Sequence, residues 1–310
     1  MSPMNIEAPL AQALEWLFDT RAPADVEMKG REVMLDTFGC VLAAERHPEA
    51  AAFAKALQAT DPDSASSTAA YLAAAACWDE ACEGLVRAHG RPGLPVLAAC
   101  TALSRRNGYS FDEVLAAYIT GYEVGGRLGE SLRIAPGMHV DGAWPAFGVA
   151  AAVVKLLGGS AMQALAAVRI VACQMPYSLY LPIARGANMR NTYASHSAQL
   201  GMLAATAALG GIAAPEGALE ELRARALGNA IQGAPIARAG EWLITETYLK
   251  AHAAVQHVHY GAAAAITLRP RLADRLASIS RIHLHTYAEA LTYCGNRAPR
   301  TAIQAQFSLS

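Results

Sequence analysis

The chain has 310 residues, of which 54% are hydrophobic and 16% are charged, and its formal net charge is −1. Its apolar residues are mostly alanines interrupted by charged side chains, so no run reaches the roughly 20 residues that a membrane helix needs. Lys and Arg form no basic stripe with interleaved aromatic residues, which argues against nucleic acid as a partner.

The N-terminal residues and the cysteines bear on the compartment. Residues 1–18 lack the basic and apolar regions of a signal peptide, so we expect a cytoplasmic protein. The six cysteines are scattered, with no CxxC pair. This pattern favours buried free thiols over disulfides or a metal cluster.

From Ala8 to about Gly233, apolar residues recur at helical spacing between breaker residues. This pattern predicts a large all-helical domain. The clearest helix spans residues 110–133, because Ser110 and Glu113 have the spacing of a capping box. Four of its glycines allow close contacts between helices, and no strand precedes them, so a nucleotide-binding loop is not predicted.

Two further elements are predicted along the chain. Pro145 is typical of a helix's first turn and predicts a helix over residues 146–157. After Lys250 the helical spacing of apolar residues ends, and an alternation of apolar and polar residues predicts a strand from Ile279 to Thr286. We therefore expect a mainly α protein with an all-helical domain over residues 1–233 and a smaller α+β domain over residues 234–310.

Three residues in glycine-broken segments are candidates for acid and base chemistry. Asp79 and His89 bracket a segment that interrupts two alanine-rich helices, so a carboxyl group and an imidazole could share a cavity. His139 lies in a glycine-bounded loop before a helix N-terminus, where free amides favour a substrate carboxylate. Each residue taken alone is equally compatible with a structural role.

Basic residues form a second group of candidates. Arg185 and Arg190 precede a helix that starts near Tyr193, and arginine can bind a carboxylate through two parallel hydrogen bonds. Simple surface solvation is the alternative. Lys250 opens a stretch rich in imidazoles, which contains His252, His257 and His259.

This cluster of histidines raises the question of a metal. His257 and His259 would share a face only on a strand, whereas His252 and His259 would share one only on a helix. No nearby carboxylate completes an established ligand spacing. We therefore predict no metal site.

Several segments together resemble the MmgE/PrpD family, which includes 2-methylcitrate dehydratase, cis-aconitate decarboxylase and iminodisuccinate epimerase. The resemblance runs through nearly the whole chain. The segments that show the resemblance are residues 115–129, 137–139, 147–158 and 305–308.

The resemblance implies a set of site residues. The family's Asp and His, ten residues apart, match Asp79 and His89, and its Gly-x-His histidine matches His139. A family lysine falls on Arg190. A second lysine, with a histidine nine residues later, falls on Lys250 and His259, and an approximate match places a tyrosine at Tyr293.

The chain also departs from the family pattern. The segment between Pro48 and Tyr71 is short, and Glu83 replaces a family threonine, where it would lie at the cavity rim or pair with Arg87. Family members continue beyond the motif at residues 305–308, so we expect an incomplete C-terminal domain.

The function implied is a cofactor-independent hydro-lyase of the 2-methylcitrate dehydratase type, acting on a small di- or tricarboxylate as a homodimer. Arg190 and Lys250, with Arg185 and Glu83 nearby, would contact the substrate, and such cationic donors stabilise charge next to a carboxylate. His139 and Asp79 would transfer protons, with His89 and His259 as partners. A decarboxylase or an epimerase is the same-family alternative, and a catalytically weakened carboxylate-binding or assembly protein is the alternative of another class.

Overall fold

The computed structural model describes residues 5–227 and 233–309, and its secondary structure is almost entirely helical. In chain order the α-helices are α1 (Glu7–Asp19), α2 (Ala24–Ala44), α3 (Pro48–Thr60), α4 (Ala65–Cys77), α5 (Gly93–Asn107), α6 (Phe111–Ser131), α7 (Pro145–Leu156), α8 (Ala161–Gln174), α9 (Leu181–Arg185), α10 (Thr192–Leu209), α11 (Ala218–Leu222), α12 (Gln256–Leu272), α13 (Ala288–Cys294) and α14 (Ala302–Gln306). The predicted mainly α fold is confirmed.

Helix α7 lies at the centre of the core and packs against α5, α6, α8 and α10. Its residues from Pro145 to Val154 are all buried, and Phe147 is completely inaccessible. Where α6 meets α7, a methyl group on Gly121 or Gly148 would collide with the other residue's carbonyl oxygen. The glycine spacing thus serves packing between helices of one chain.

The helix boundaries predicted from caps are confirmed. The Ser110 hydroxyl accepts a hydrogen bond from the Glu113 backbone N–H at 3.3 Å, and the Glu113 carboxylate accepts one from the Ser110 N–H at 2.8 Å. These two bonds satisfy donors that a helix N-terminus otherwise leaves free. Helix α7 begins at Pro145, as its sequence indicates.

A buried ion pair on α6 holds the chain that leads to the C-terminal region. The Arg127 guanidinium contacts the Glu123 carboxylate and donates to the carbonyl of Ala237 at 3.2 Å. The Glu123 carboxylate also accepts from the N–H groups of Leu243 and Ile244, at 3.0 and 2.8 Å. These bonds fix the path of the chain just before Lys250.

The predicted strand from Ile279 to Thr286 is wrong. Residues 279–287 are irregular and mostly exposed, and Ile282 is 83% accessible. A strand needs a neighbour to pair its backbone N–H and C=O groups, and among the described residues only isolated β-bridges occur. The alternating pattern therefore has no sheet to bury its apolar face.

Two findings concern the membrane and the thiols. Within the described residues, no helix has both the length and the apolar character needed to cross a bilayer. All six cysteines are free, and only Cys173 is exposed. The expectation of buried thiols is thus correct except at Cys173.

Candidate functional site

Two adjoining cavities lie where the loop after α4, the loop after α6 and the C-terminal region meet. The polar cavity, of about 350 Å³, is lined by charged groups that include Glu80, Arg91, Asp141 and Lys250. The aromatic cavity, of about 370 Å³, is lined mainly by apolar and aromatic groups. Both volumes suit a small ligand. The two cavities share His89, His139, Val140, Val255, His257, Glu289 and Phe307.

Glu80 is the centre of the charged cluster. Its backbone is left-handed, with φ of 54°, and its side chain is buried. Its carboxylate lies 2.7 Å from Lys250 Nζ and 3.0 Å from Arg91 Nη1, and it contacts Arg190 Nη2. Burial alone would raise the pKa of Glu80, but the three cations hold it well below its usual range.

Asp141 provides the second carboxylate of the cluster. It contacts the Arg91 guanidinium, and although burial raises the pKa of Asp141, the charge of Arg91 lowers it by more, so the carboxylate is ionised. The cluster therefore sets three cations, Arg91, Arg190 and Lys250, against two carboxylates, with a net charge of +1. Such an excess of buried positive charge favours an anionic ligand.

His139 is a neutral imidazole at the base of both cavities. Its Nδ1 accepts a hydrogen bond from the Asp141 backbone N–H at 3.3 Å, which assigns its proton to Nε2. Burial lowers the pKa of His139 to about 4, although Asp141 acts in the opposite direction. The ring stacks against Tyr193 and Tyr180, at 5.5 and 6.2 Å between centroids. His139 can therefore donate a hydrogen bond from Nε2.

His89 and His257 are the other imidazoles in the shared wall. Burial lowers both pKa values, so both rings are neutral near pH 7. His89 Nδ1 lies 3.9 Å from the Glu289 carboxylate, and His257 Nδ1 pairs with the Tyr287 hydroxyl. A neutral imidazole can accept a proton from a bound substrate.

Backbone strain is concentrated at this site. Among the described residues, three non-glycine residues have a positive φ, and two of them are Glu80 and His89. Such conformations cost about 1–3 kcal/mol each and persist only where the surroundings impose them. The loop between α4 and α5 therefore holds both side chains in fixed directions.

The structure brings several predicted residues together. His89, His139 and Lys250 all line the polar cavity, and Tyr293 lines the aromatic one. Arg190 lies directly behind the cavity, where it is fully buried, donates to the Cys77 carbonyl at 2.8 Å and is covered by the Phe307 ring. Arg190 therefore contacts two residues of the cavity wall, Glu80 and Phe307.

Asp79 does not share this cavity, so the prediction that it does is wrong. Its carboxylate lies 2.7 Å from His47 Nε2 and 3.4 Å from Arg46 Nη2, at the turn between α2 and α3. The left-handed residue that follows turns the chain, so the Glu80 carboxylate points inward instead. Sequence spacing identified the loop but missed the acid by one position.

Glu83 lies neither at the rim nor beside Arg87, so both of its predicted positions are wrong. It is completely buried and accepts a hydrogen bond from the Gly93 N–H at 2.9 Å. Burial raises its pKa to about 8, so it is largely protonated at neutral pH. Arg87 pairs instead with three other carboxylates, those of Glu130, Glu241 and Glu246.

His259 and Arg185 also lie outside both cavities. His259 Nε2 pairs with the Ala254 carbonyl at 3.2 Å, and Arg185 is exposed at the end of α9. His257, two residues earlier, occupies the shared wall because it faces α13.

Sequence reasoning therefore missed Glu80, Arg91 and Asp141, and it named His257 only as part of the imidazole-rich stretch, without a role in the site. All four lie within two residues of a predicted position, and this proximity was the available signal. In the described part of the chain, no three His, Cys, Asp or Glu side chains are grouped as metal ligands. Metal independence stays a prediction.

Comparison with known families gives two matches that together span most of the chain. The MmgE/PrpD N-terminal domain matches residues 10–227. The MmgE/PrpD C-terminal domain matches residues 252–310. No curated protein matches the chain.

Proposed function

The chain belongs to the MmgE/PrpD family, and on that premise we propose that it is a cofactor-independent hydro-lyase. Its substrate is a small di- or tricarboxylate, and the reaction removes a proton from a carbon next to a carboxylate. One observation carries the proposal. Neutral imidazoles line a cavity whose buried charged cluster has a net charge of +1.

The cationic cluster binds the carboxylate next to the reacting carbon. Lys250 and Arg91 line the polar cavity, and Arg190 supports them from behind through Glu80. As the carbon loses its proton, negative charge spreads onto this carboxylate. Fixed cations stabilise that charge, and removing one donor of this kind costs about 3–4 kcal/mol of transition-state stabilisation.

Two imidazoles carry out the elimination. His89 is neutral, lies in the wall of both cavities and takes the proton from carbon. His139 donates a hydrogen bond from Nε2 to the leaving hydroxyl, which receives the proton held by His89, so that the C–O bond breaks, the C=C bond forms, water leaves and both imidazoles are neutral again. These roles replace the expected pairing of His139 with Asp79, because Asp79 faces the α2–α3 turn.

Hydrogen exchange at carbon tests the shared first step. We expect the purified protein, incubated in D₂O with a panel of di- and tricarboxylates, to incorporate deuterium next to a carboxylate of its substrate. Mass spectrometry of the products then distinguishes dehydration from the same-family alternatives, decarboxylation and epimerisation. The activity should survive EDTA, because the proposed steps use only side chains of the chain.

Single-residue variants test the proposed roles of Lys250 in carboxylate binding and of His89 in proton removal. Lys250→Ala and His89→Ala should each reduce deuterium incorporation at least about a hundredfold. The matched controls Lys55→Ala and His285→Ala, both at exposed positions, should retain it. Circular dichroism checks that the variants are folded. If no acid in the panel exchanges or reacts, the protein is instead a carboxylate-binding or assembly protein, the alternative of another class.

We also propose a homodimer, in line with the family. The glycines of α6 do not argue for it, because their close contacts lie within one chain. Sedimentation velocity at micromolar concentration should show the dimer, and a monomer alone would contradict it.

A further inference from the structure

Arg133 is a charged side chain in the aromatic cavity that the proposed mechanism does not use. It lies in the loop two residues after α6, and it is half-buried. Within the part of the chain that the structure describes, its guanidinium forms neither a hydrogen bond nor an ion pair shorter than 4 Å. Burial lowers the pKa of Arg133, and the more distant carboxylates of Glu289 and Glu130 oppose that shift only in part, so an anion bound beside the guanidinium would be favourable.

The walls around Arg133 are apolar. They include Ile134, Met138, Trp144, Tyr180 and Phe307. Methylene groups of a ligand would pack against these side chains. Among the described residues, Arg133 is the one Lys or Arg that lines this cavity, since Lys250 and Arg91 line the polar cavity.

The two cavities are therefore lined by different cations and share a wall that contains imidazoles. Lys250 and Arg91 lie on the polar side, Arg133 lies on the aromatic side, and His89 and His139 belong to both. A ligand that occupies both cavities would contact cations of each cavity and the imidazoles that the two cavities share.

We infer that Arg133 binds a second, distal carboxylate of the substrate, whose methylene-rich arm lies in the aromatic cavity. The inference rests on the proposed function, which assigns the proximal carboxylate to Lys250 and Arg91. The preferred substrate is then an elongated di- or tricarboxylate. Arg133 determines specificity, because it distinguishes acids that have a distal carboxylate from acids that lack one.

Glu289 is a carboxylate in the same cavity as Arg133, and substituting it gives a second test of anion binding there. Its half-exposed carboxylate lines both cavities, is more than 4 Å from Arg133 and attracts the guanidinium over that distance. Because like charges repel, Glu289 weakens the binding of a carboxylate beside Arg133. Neutralising Glu289 should therefore strengthen that binding.

Isothermal titration calorimetry with matched acids tests the inference without requiring turnover. The probes are α,ω-dicarboxylates and monocarboxylates of equal carbon number: succinate with butyrate, glutarate with pentanoate, and adipate with hexanoate. We expect the wild type to prefer at least one dicarboxylate over its partner by about tenfold or more, the usual effect of a charge-assisted hydrogen bond.

Arg133→Gln should abolish that preference and leave monocarboxylate affinity unchanged. Glu289→Gln should increase dicarboxylate affinity several-fold, and Lys250→Ala should weaken both classes. The control Arg106→Gln, at an exposed position on α5, should change neither. Urea unfolding of each variant checks its fold.

Three outcomes would count against the inference. If Arg133→Gln keeps the dicarboxylate preference, or weakens both classes equally, Arg133 is not a distal anchor. If the acids bind in a Lys250-dependent manner with no preference for two carboxylates, the inference fails while the proposed function stands. If no acid binds the wild type, the proposed function fails, and the inference fails with it.

Discussion

The helical body (residues 5–227) and the C-terminal region (residues 233–309) both line the same site, yet they are built differently. In the body, α7 is almost wholly buried and the central helices pack closely on it. In the C-terminal region, α12 buries no residue, and Ile266, Leu276 and Ile282 are 58%, 58% and 83% exposed. Since buried apolar area supplies most folding free energy, the body is the more stable part.

The two regions, which differ in packing, contribute different groups to the site. The body supplies His139 and the charged cluster apart from Lys250, and these groups must be held rigidly because charges fixed in advance stabilise a transition state most. The C-terminal region supplies His257, Glu289 and Phe307, and it is joined to the body by a few bonds, such as that from Gln306 Nε2 to the Trp78 carbonyl at 3.2 Å. Most of the buried charge thus comes from the densely packed body, and the less densely packed C-terminal region completes the cavity walls.

The largest effect is expected at Glu80. Glu80→Gln would leave Arg91, Arg190 and Lys250 packed around a neutral amide, and removing one partner of a buried charge cluster costs about 3–5 kcal/mol. Urea unfolding followed by circular dichroism should show a loss of this size. The control Asp79→Asn, one position earlier, changes a partly exposed pair and should cost about 1 kcal/mol or less. Equal losses at the two positions would mean that the charged cluster is not the rigid part of the site.

A smaller effect, visible as a pH dependence, is expected at His139. Below pH 6.5 the unfolded chain binds a proton at this residue, whereas the folded protein does not bind it until about pH 4. Stability should therefore fall as the pH is lowered through this window, by about 3 kcal/mol in all from this group. His139→Asn should unfold with a correspondingly flatter pH dependence between pH 6.5 and 4. An unchanged slope would show that His139 titrates normally in the folded state.

The smallest expected effect concerns local opening of the C-terminal region. Arg271, Arg275 and Arg281 are exposed on or just after the end of α12, whereas Arg127 on α6 is fully buried. Limited trypsin digestion, read by mass spectrometry, should cut after the three exposed arginines well before it cuts after Arg127. Ile282→Ala in the same region should change the free energy of unfolding by less than about 0.5 kcal/mol. Cleavage after Arg127 at the same rate as after the three exposed arginines would contradict the expected difference in local stability between the two regions.

The sequence by itself determined the helical architecture and the neighbourhoods of the site. The capping box at Ser110 and Glu113 and the proline at the start of α7 act over one helical turn, so local pattern was enough to find them. The broken loops around His89, His139 and Lys250 were likewise visible as interruptions of helical periodicity. The family resemblance led to the same loops.

Only the tertiary structure decided which side chain in each loop faces the cavity. Glu80 rather than Asp79 points inward because its left-handed backbone directs it toward Arg91, Arg190 and Lys250, residues distant from one another in sequence. A helix makes its backbone hydrogen bonds within one segment, whereas a strand needs a second segment to pair with. Among the described residues no segment pairs with residues 279–287, so their alternating pattern forms no strand. Local pattern specifies bonds within a turn, whereas the direction of a single side chain depends on distant partners and on a single φ angle.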